Sequence, residues 1–321
     1  MIDLHNIHQT VKTELDLLNT KLLGVGRLEY KLVYDIVTHV ISNGKRVRPI
    51  LLVLIAKAFG VKDTNAVIHS AFAVEMIHTA SLLHDDVVDE TKKRRGKKTA
   101  NTLWGNKETI LVGDHLFTQS FLAITELNNS NATRIIADAS SRLTIGEITQ
   151  LENEQNIDLS IDEYLKIIYH KTASLFEASA QLGALFSETG SVEHCGTLGK
   201  NLGFAFQIMD DILDYMGSKT LGKDVGTDFK ERKATLPVLM LLKHANKNEL
   251  KTIKGYFQNK GEMTLHEIIG MMEKYNVFML CQEFMDTFVK SSSVFIEENI
   301  QNKHIQMMLL TLLNFFIKRN F

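Results

Sequence analysis

Two short clusters of aspartates hold the residues of this sequence best suited to chemistry. In the first, Asp85, Asp86 and Asp89 follow an apolar helical run at positions i, i+1 and i+4. At about 100° per residue, Asp85 and Asp89 lie about 40° apart on one helix face. Negative charge is unfavourable near a helix C-terminus, and these carboxylates repel one another unless a cation lies among them. Hard, oxygen-seeking Mg²⁺ fits that place, and a solvated acidic helix end is the alternative.

The second cluster repeats this spacing on another helical segment. Asp210, Asp211 and Asp214 again stand at i, i+1 and i+4, after an apolar helix and before a basic loop. Two copies of the pattern, 125 positions apart, are difficult to produce by chance. If the two helices face each other, six carboxylates surround one cavity that holds several Mg²⁺ ions. Because Mg²⁺ gives up its water reluctantly, it also needs ligand oxygens, and phosphates are their usual source.

Basic residues around the acidic motifs fit a phosphate-bearing ligand. Lys45, Arg46 and Arg48 stand at the start of a helix, where backbone N–H groups also favour an anion. Arg94 and Arg95 follow the first motif and are suited to bidentate phosphate contacts. A basic loop by itself is explained by solubility, but beside clustered carboxylates we interpret it as an anion-binding segment.

Three further side chains, Lys171, Gln207 and His78, are candidates for contact with such a ligand or for the cavity wall. Lys171 lies on a helix with much apolar surface, where a buried ammonium needs a partner such as a bound anion; a snorkelling lysine is an equal alternative. Gln207 stands three residues before Asp210, and His78 stands two turns before Asp85, each on nearly the same face as its aspartate. For Gln207 the alternative is an ordinary polar residue of the core.

Length and composition favour an all-α protein. Two prolines in 321 residues, with apolar residues spaced at three and four, indicate helices from end to end. Without a linker rich in proline, glycine or serine, we expect a single domain over 1–321, a helical bundle around a central cavity. The polar segment 91–106 is predicted to be a loop. A formal net charge of −2 gives no reason to expect nucleic acid as a partner.

The cysteines and the chain ends favour a cytoplasmic protein. Cys195 and Cys281 lack CxxC spacing and are expected to be free, buried thiols. The N-terminal residues have neither the basic start nor the apolar core of a signal peptide. The apolar run 307–317 is too short to span a bilayer, which favours a buried terminal helix over a membrane contact.

Together the motifs resemble those of the trans-isoprenyl diphosphate synthase family, with the long-chain, octaprenyl-type members looking most similar. The motif-bearing part covers about 40–240. The matching segments are GKRVRP (44–49), LLHDDVVDETKKRRG (82–96), GD (113–114), GE (146–147), KTASLFEAS (171–179), FQIMDDILDY (206–215) and LGKDVGTDFKERKATLP (221–237). The match is highly specific because both acidic motifs occur in the right order, with every basic motif between and around them.

The resemblance implies a role for each candidate residue. The six aspartates would hold Mg²⁺, about three ions per active site, against the diphosphate of an allylic substrate. Catalytic roles are implied for Asp85, Asp86, Lys171, Thr172, Gln207 and Asp210. Contacts to the allylic diphosphate are implied for Arg94, Lys171, Lys223 and Lys233. Contacts to isopentenyl diphosphate are implied for Lys45, Arg48, His78 and Arg95, while Thr172 and Gln207 would stand near the reacting carbons.

The implied reaction is electrostatic rather than nucleophilic. The allylic C–O bond ionises, the double bond of isopentenyl diphosphate attacks the cation, and a proton passes to the departed diphosphate. Water has to be excluded, and the basic loops are the expected lids. One departure is visible: the second basic loop often reads GKPTLP in the family, whereas here Arg232 and Ala234 flank Lys233.

Product length is expected to depend on residues near the first motif. Members that stop growth early carry bulky aromatics four or five positions before the first aspartate, where this chain has Ser81 and Ala80. The small side chains imply a deeper tunnel and a product of about seven to nine isoprene units (about C35–C45, octaprenyl foremost). Phe117 and Phe121 on the next helix are the candidate floor residues.

The resemblance also implies partners, and some alternatives stay open. Isopentenyl diphosphate and an allylic primer, farnesyl diphosphate foremost, are the expected substrates. A homodimer, a transient membrane contact at product release and a destination in quinone side chains are also expected. Terpene cyclases typically lack GKRVRP and the second acidic motif, and non-catalytic synthase subunits usually lose acidic motifs. A catalytic subunit that needs a partner chain and a shorter-chain farnesyl or geranylgeranyl synthase both remain open.

Overall fold

The computed structural model describes residues 4–27, 30–42, 44–94, 96–217 and 226–317, and 78% of them are helical. This confirms the all-α prediction. The helices up to residue 125 are α1 (Leu4–Thr10), α2 (Lys12–Leu23), α3 (Lys31–Ile41), α4 (Val47–Ala58), α5 (Thr64–Val88), α6 (Ala100–Trp104) and α7 (Asn106–Thr125). The next are α8 (Ser130–Glu152), α9 (Ile161–Ile168), a π-helical turn (Tyr169–Ala173), α10 (Ser174–Leu185) and α11 (Val192–Met216). The last are α12 (Thr227–Lys230), α13 (Leu236–His244), α14 (Lys247–Phe257), α15 (Leu265–Lys274), α16 (Val277–Asn299) and α17 (Lys303–Ile317).

Two segments differ from the sequence prediction. The segment 91–106, predicted to be a loop, contains α6 and a small antiparallel hairpin of β1 (Lys93–Arg94) and β2 (Lys97–Lys98). The helix expected around Lys171 is interrupted by the π-helical turn, which separates α9 from α10. Such turns are frequent at functional sites, and this one carries two of the candidate residues.

Backbone contacts group the chain into two compact units. One consists of Met1–Ser141, Leu175–Gly199 and Phe295–Leu312, and the other of Arg142–Ser174, Lys200–Val294 and Leu313–Phe321. Below they are called the first and second unit. The expectation of one domain over 1–321 stays a prediction.

Helix α5 forms the centre of the first unit. Asp63 caps its N-terminus by accepting a hydrogen bond from the Ala66 N–H at 3.0 Å, as capping residues commonly do. The helix packs most extensively against α7 and also contacts α2 and α4. Within the described residues it is long and apolar enough to cross a membrane, yet 78% of its apolar window is buried inside the protein. We therefore interpret α5 as a core helix.

The core of the second unit forms around the C-terminal half of α11. Ile208 and Ile212 of this helix are buried with Phe229, Phe257 and Cys281. Helix α9 begins with a capping box between Ser160 and Glu163, and its buried face joins the same cluster. Both cysteines of the chain are free and buried, as predicted.

Candidate active site

The first acidic motif lies at the C-terminal end of α5, as the sequence predicts. Asp85 and Asp86 belong to its last turn, and Asp89 is the C-cap, whose N–H donates to the Asp85 carbonyl at 2.8 Å. Asp85 is half-buried and Asp89 is exposed, whereas Asp86 is only 3% exposed. The motif therefore has one buried, one half-buried and one exposed aspartate.

The buried carboxylate, Asp86, connects α5 to the basic hairpin. Arg94 Nε donates to Asp86 Oδ1 at 2.9 Å, and the Asn101 amide and the Thr91 N–H donate to the Asp86 carbonyl at 2.8 and 3.0 Å. Burial raises the pKa of Asp86, and the charge of Arg94 opposes that rise. Asp86 thus holds Arg94, a candidate diphosphate ligand, beside the motif.

The basic hairpin is also attached to α3. The His39 imidazole N–H donates to the Lys98 carbonyl at 2.8 Å, and Lys97 Nζ donates to Ser42 Oγ at 3.1 Å. The His39 ring meets the Trp104 ring edge-on, with the centroids 5.3 Å apart. These contacts and the Asp86–Arg94 pair fix the hairpin from two sides.

The basic start of α4 divides into inward and outward side chains. Arg46 has left-handed backbone with φ of 53°, and its guanidinium turns inward to Glu75 at 2.7 Å, with both side chains buried. Arg48 is buried, and its guanidinium carbon lies 4.5 Å from the centroid of the Phe176 ring. Lys45 is exposed. Arg46, which the sequence groups with the anion-binding residues, is therefore paired with a carboxylate inside the protein.

The candidate chain-length residues on α5 differ in burial. Ala80 is 0% exposed and belongs to the core, so it has packed neighbours on every side. Ser81 and His78 are half-buried, and Ser81 Oγ donates to the His78 carbonyl at 2.9 Å. Of the two small residues, Ser81 is the one with accessible surface.

The candidate floor residues lie on α7, which approaches α5 closely at Gly113. A Cβ at Gly113 would lie 2.3 Å from His84 Nε2, so any larger residue there would displace the His84 ring. His84 stacks on Phe117, with centroids 5.7 Å apart, and its Nε2 lies 3.3 Å from an Asp114 oxygen. Phe117 and Phe121 are both half-buried. The GD pair at 113–114 thus has a packing explanation.

The second acidic motif lies at the C-terminal end of α11 and is linked to the π-helical turn. Asp211 is 3% exposed and accepts two hydrogen bonds, from the Tyr164 hydroxyl at 2.6 Å and from Gln207 Nε2 at 2.8 Å. Gln207 Oε1 accepts in turn from Thr172 Oγ1 at 2.8 Å. Asp210 is half-buried. One hydrogen-bond chain therefore joins Thr172, Gln207 and Asp211.

The last aspartate of this motif caps α12. Asp214 Oδ1 accepts from the Thr227 N–H at 3.1 Å and its Oδ2 from the Asp228 N–H at 2.9 Å, while its carbonyl accepts from the Gly226 N–H at 2.8 Å. Burial and, after it, the negative charges of Asp211 and Asp214 raise the pKa of Asp228. Asp228 is thus a fourth carboxylate beside the second motif, and the spacing of the motif does not indicate it.

Two candidate lysines of the second unit, Lys171 and Lys233, have acidic neighbours. A Cβ at Gly146 would lie 2.6 Å from the Lys171 backbone nitrogen, so glycine lets α8 approach the π-helical turn. Glu147 then pairs with Lys171 Nζ at 2.8 Å, and Lys233 pairs with Glu231 at 2.6 Å. The partly buried ammonium of Lys171 therefore has a protein partner, which the sequence prediction left open.

Two candidates, Arg95 and Lys223, lie outside the described residues, and their roles stay predictions. Three residues were missed by sequence reasoning: Tyr164, Glu147 and Asp228. Two of them lay in segments that the sequence analysis matched to the family, Glu147 in the GE pair and Asp228 in the segment 221–237; Tyr164 had no such signal.

The donors of both motifs fit a hard divalent cation. All are carboxylate oxygens, the ligands that Mg²⁺ prefers. Burial raises the pKa of Asp211, and the neighbouring charges of Asp210 and Asp214 add to that rise; a cation would relieve this repulsion. Within the described ranges, no three His, Cys, Asp or Glu side chains already gather around one point. A bound ion would therefore also need oxygens from its ligand.

A family model and a related protein of known name both match most of this chain. The family model described as polyprenyl synthetase matches residues 30–272. The octaprenyl diphosphate synthase of Haemophilus influenzae is 36% identical over 277 residues, which cover 85% of this chain and 81% of that protein.

Two solved structures share the fold over almost the whole chain. A decaprenyl diphosphate synthase from Rhodobacter capsulatus matches with a TM-score of 0.92 and 33% identity, covering 98% of this chain and 99% of that one. A polyprenyl synthase from Caulobacter crescentus CB15, complexed with calcium and isoprenyl diphosphate, matches with a TM-score of 0.91 and 30% identity, covering 98% and 97%. The chain belongs to the polyprenyl synthetase family, with the all-helical fold of the isoprenyl synthases.

Proposed function

We propose that this chain condenses isopentenyl diphosphate units onto an allylic diphosphate primer, preferentially farnesyl diphosphate, to make a long-chain all-trans polyprenyl diphosphate. Family membership and the similarity to an octaprenyl and a decaprenyl diphosphate synthase support the proposal. In each cycle the allylic C–O bond breaks, and diphosphate leaves with the electron pair. The double bond of isopentenyl diphosphate then forms a C–C bond to the cation, and a proton passes to the departed diphosphate.

The hydrogen-bond chain from Thr172 through Gln207 to Asp211 is the observation that carries the proposal. An ionised carboxylate only accepts hydrogen bonds, so Gln207 directs its NH₂ group to Asp211 and its carbonyl oxygen to Thr172. The Thr172 hydroxyl therefore donates its hydrogen to Gln207. Its oxygen lone pairs then remain available to stabilise a cationic carbon. Fixed dipoles of this kind stabilise charge that develops in a transition state.

The aspartates provide the proposed cation sites. The proposed Mg²⁺ ligands are Asp85, Asp86, Asp89, Asp210, Asp211 and Asp214, for about three ions per active site. When bound, Mg²⁺ neutralises negative charge on the leaving diphosphate. The contacts give the middle aspartates a second role, because Asp86 holds the basic hairpin and Asp211 holds Gln207. The calcium and isoprenyl diphosphate in a structural neighbour support a divalent-cation site.

Cationic side chains complete the proposed diphosphate sites. The proposed ligands of the allylic diphosphate are Arg94, Lys171, Lys223 and Lys233. Those of isopentenyl diphosphate are Lys45, Arg48, His78 and Arg95. An ammonium has three donors, so the Glu147 contact orients Lys171 and leaves donor capacity for a phosphate oxygen. The Asp86 contact orients Arg94 in the same way.

A product of about C35–C45, octaprenyl foremost, is proposed from the small residues before the first motif. The resemblance places chain-stopping aromatic residues at these two positions, where Ala80 and Ser81 are small; Phe117 and Phe121 are the proposed floor. Replacing Ala80 by Phe should shorten the product, and an unchanged product length would contradict this assignment. Because Ala80 is fully buried, the same change also overpacks the core.

The test is a condensation assay on the purified chain alone. Farnesyl diphosphate, isotope-labelled isopentenyl diphosphate and Mg²⁺ should give labelled polyprenyl diphosphate and release inorganic diphosphate, and EDTA should abolish both. If the folded chain alone does not condense the substrates and a second subunit restores the reaction, the enzyme is partner-dependent. A product that stops at C15 or C20 would show the shorter-chain synthase.

Assembly and location are proposed from the family resemblance and from the chemistry of the product. We propose a cytoplasmic homodimer that contacts a membrane transiently, because a long apolar product has to pass from the enzyme to a bilayer. Light scattering of the purified chain tests the dimer. Cell fractionation tests the location.

A further inference from the structure

Tyr164 is a buried residue outside the motifs that contacts the second one directly. It lies in α9, 47 positions before Asp211, and is 3% exposed. Its ring belongs to the apolar core of the second unit, with Ile208, Ile212 and Phe229. The packed ring fixes the hydroxyl, which donates to Asp211 Oδ2 at 2.6 Å, a length typical of a charge-assisted bond.

The hydroxyl of Tyr164 restrains the orientation of the other members of the hydrogen-bond chain. The two carboxylate oxygens of Asp211 accept from different donors, Tyr164 on Oδ2 and Gln207 on Oδ1. Because Tyr164 holds Oδ2 of Asp211, Oδ1 points in a fixed direction. The Gln207 amide that donates to Oδ1 is therefore oriented as well. Gln207 in turn fixes the direction in which Thr172 donates. The order of the contacts is therefore Tyr164, Asp211, Gln207, Thr172.

We propose that Tyr164 is a positioning residue for prenyl transfer: its hydroxyl orients Asp211, and through Asp211 and Gln207 it aims the Thr172 oxygen at the reacting carbons. This inference rests on the proposed function. Tyr164 is only 3% exposed, so we assign it no substrate contact. Its effect passes through three hydrogen bonds, Tyr164 to Asp211, Gln207 to Asp211 and Thr172 to Gln207.

A purely structural tyrosine is the alternative, since buried carboxylates need donors wherever they occur. Tyr256 provides a matched control for that alternative. It lies in the same core, is 8% exposed, and its hydroxyl donates to the Phe229 carbonyl at 3.1 Å. Y256F also removes one buried hydrogen bond from the second unit, but not from the chain that ends at Thr172.

The experiment compares Y164F and Y256F in the full-length chain. We expect Y164F to lower kcat about 10- to 100-fold, the effect of losing one hydrogen bond to a charged group, with the KM for isopentenyl diphosphate within about 2-fold. Y256F should keep the wild-type kcat. In a double-mutant cycle with Q207A, Y164F should have little further effect, because both changes break the same chain.

A binding measurement checks the same point without turnover. Mg²⁺ with inorganic diphosphate should raise the melting temperature of wild type and Y256F equally, and that of Y164F by less. All assays are run well below the melting temperature of each variant, so that a lower stability of Y164F does not affect the comparison.

Wild-type kcat in Y164F, or a loss that adds fully to that of Q207A, would overturn the positioning role. A wild-type chain that does not condense the substrates refutes the proposed function instead. An active wild type with an unaffected Y164F refutes only the inference about Tyr164.

Discussion

Substitution of Gly146 by alanine tests whether close helix packing positions Lys171. The added Cβ would lie 2.6 Å from the Lys171 backbone nitrogen and 3.0 Å from the His170 carbonyl carbon. Ordinary contact begins near 3.4 Å. Because the nearest atoms are main-chain atoms, α8 and the π-helical turn have to separate by nearly 1 Å or more.

The size of the effect follows from two opposing contributions. Overpacking of this kind costs about 1–3 kcal/mol, and replacing glycine by alanine inside a helix recovers about 0.5–1 kcal/mol. The free energy of unfolding should therefore fall by up to about 2.5 kcal/mol. Activity should fall further, about 10- to 100-fold in kcat, because a displacement of this size misplaces a group in the reaction.

Gly270 provides the matched control, since a Cβ there meets nothing within 4 Å. It lies inside α15, so G270A should raise the free energy of unfolding by about 0.5–1 kcal/mol and leave kcat unchanged. Urea unfolding and steady-state kinetics measure both quantities. If G146A matches G270A in stability and in kcat, the packing argument is wrong.

Three further predictions address other parts of the molecule. E75Q leaves the buried Arg46 guanidinium without a counter-charge and should lower the free energy of unfolding by about 3–5 kcal/mol in urea; a loss below about 1 kcal/mol would contradict the buried pair. S81F should shorten the product, because Ser81 is the accessible small residue before the first motif, and mass spectrometry that shows the wild-type chain length would exclude it as a determinant. The hydrogen bond from Lys274 is the largest influence that lowers the pKa of Glu249, from 4.5 to about 2. Because this pKa is lower in the folded state, the stabilisation is present above about pH 4.5 and is lost as the pH falls towards 2. The melting temperature of wild type should exceed that of E249Q at pH 7 and equal it near pH 2. A difference in melting temperature that does not change with pH would argue against the Lys274–Glu249 pair.

The acidic motifs and the helices that carry them could be predicted because both signals are local. Asp85 and Asp89, like Asp210 and Asp214, share a face through a fixed helical period, and the apolar runs before them mark helices that are buried in the structure. The all-helical fold follows from the same periodicity and from the scarcity of proline. These features depend on residues within one or two turns of each other.

The contacts that orient the site residues depend on long-range packing, which one sequence does not show. Tyr164 and Asp211 are 47 positions apart, and Glu147 and Lys171 are 24 apart. The sequence pattern gives no pairing between them. Arg46 stands beside Lys45 in a basic run, but its left-handed backbone directs the side chain inward to Glu75. Spacing predicts which residues are near the chemistry, and tertiary structure decides which of them face it.

The mass of the product made by the purified wild-type chain tests the central claim most directly. The chain is incubated with farnesyl diphosphate, excess isopentenyl diphosphate and Mg²⁺, and the products are analysed by liquid chromatography and mass spectrometry. Our account predicts all-trans polyprenyl diphosphates of about C35–C45 with C40 as the main species. Cyclic hydrocarbons, or hydrolysis of the primer without elongation by the folded chain, would contradict it.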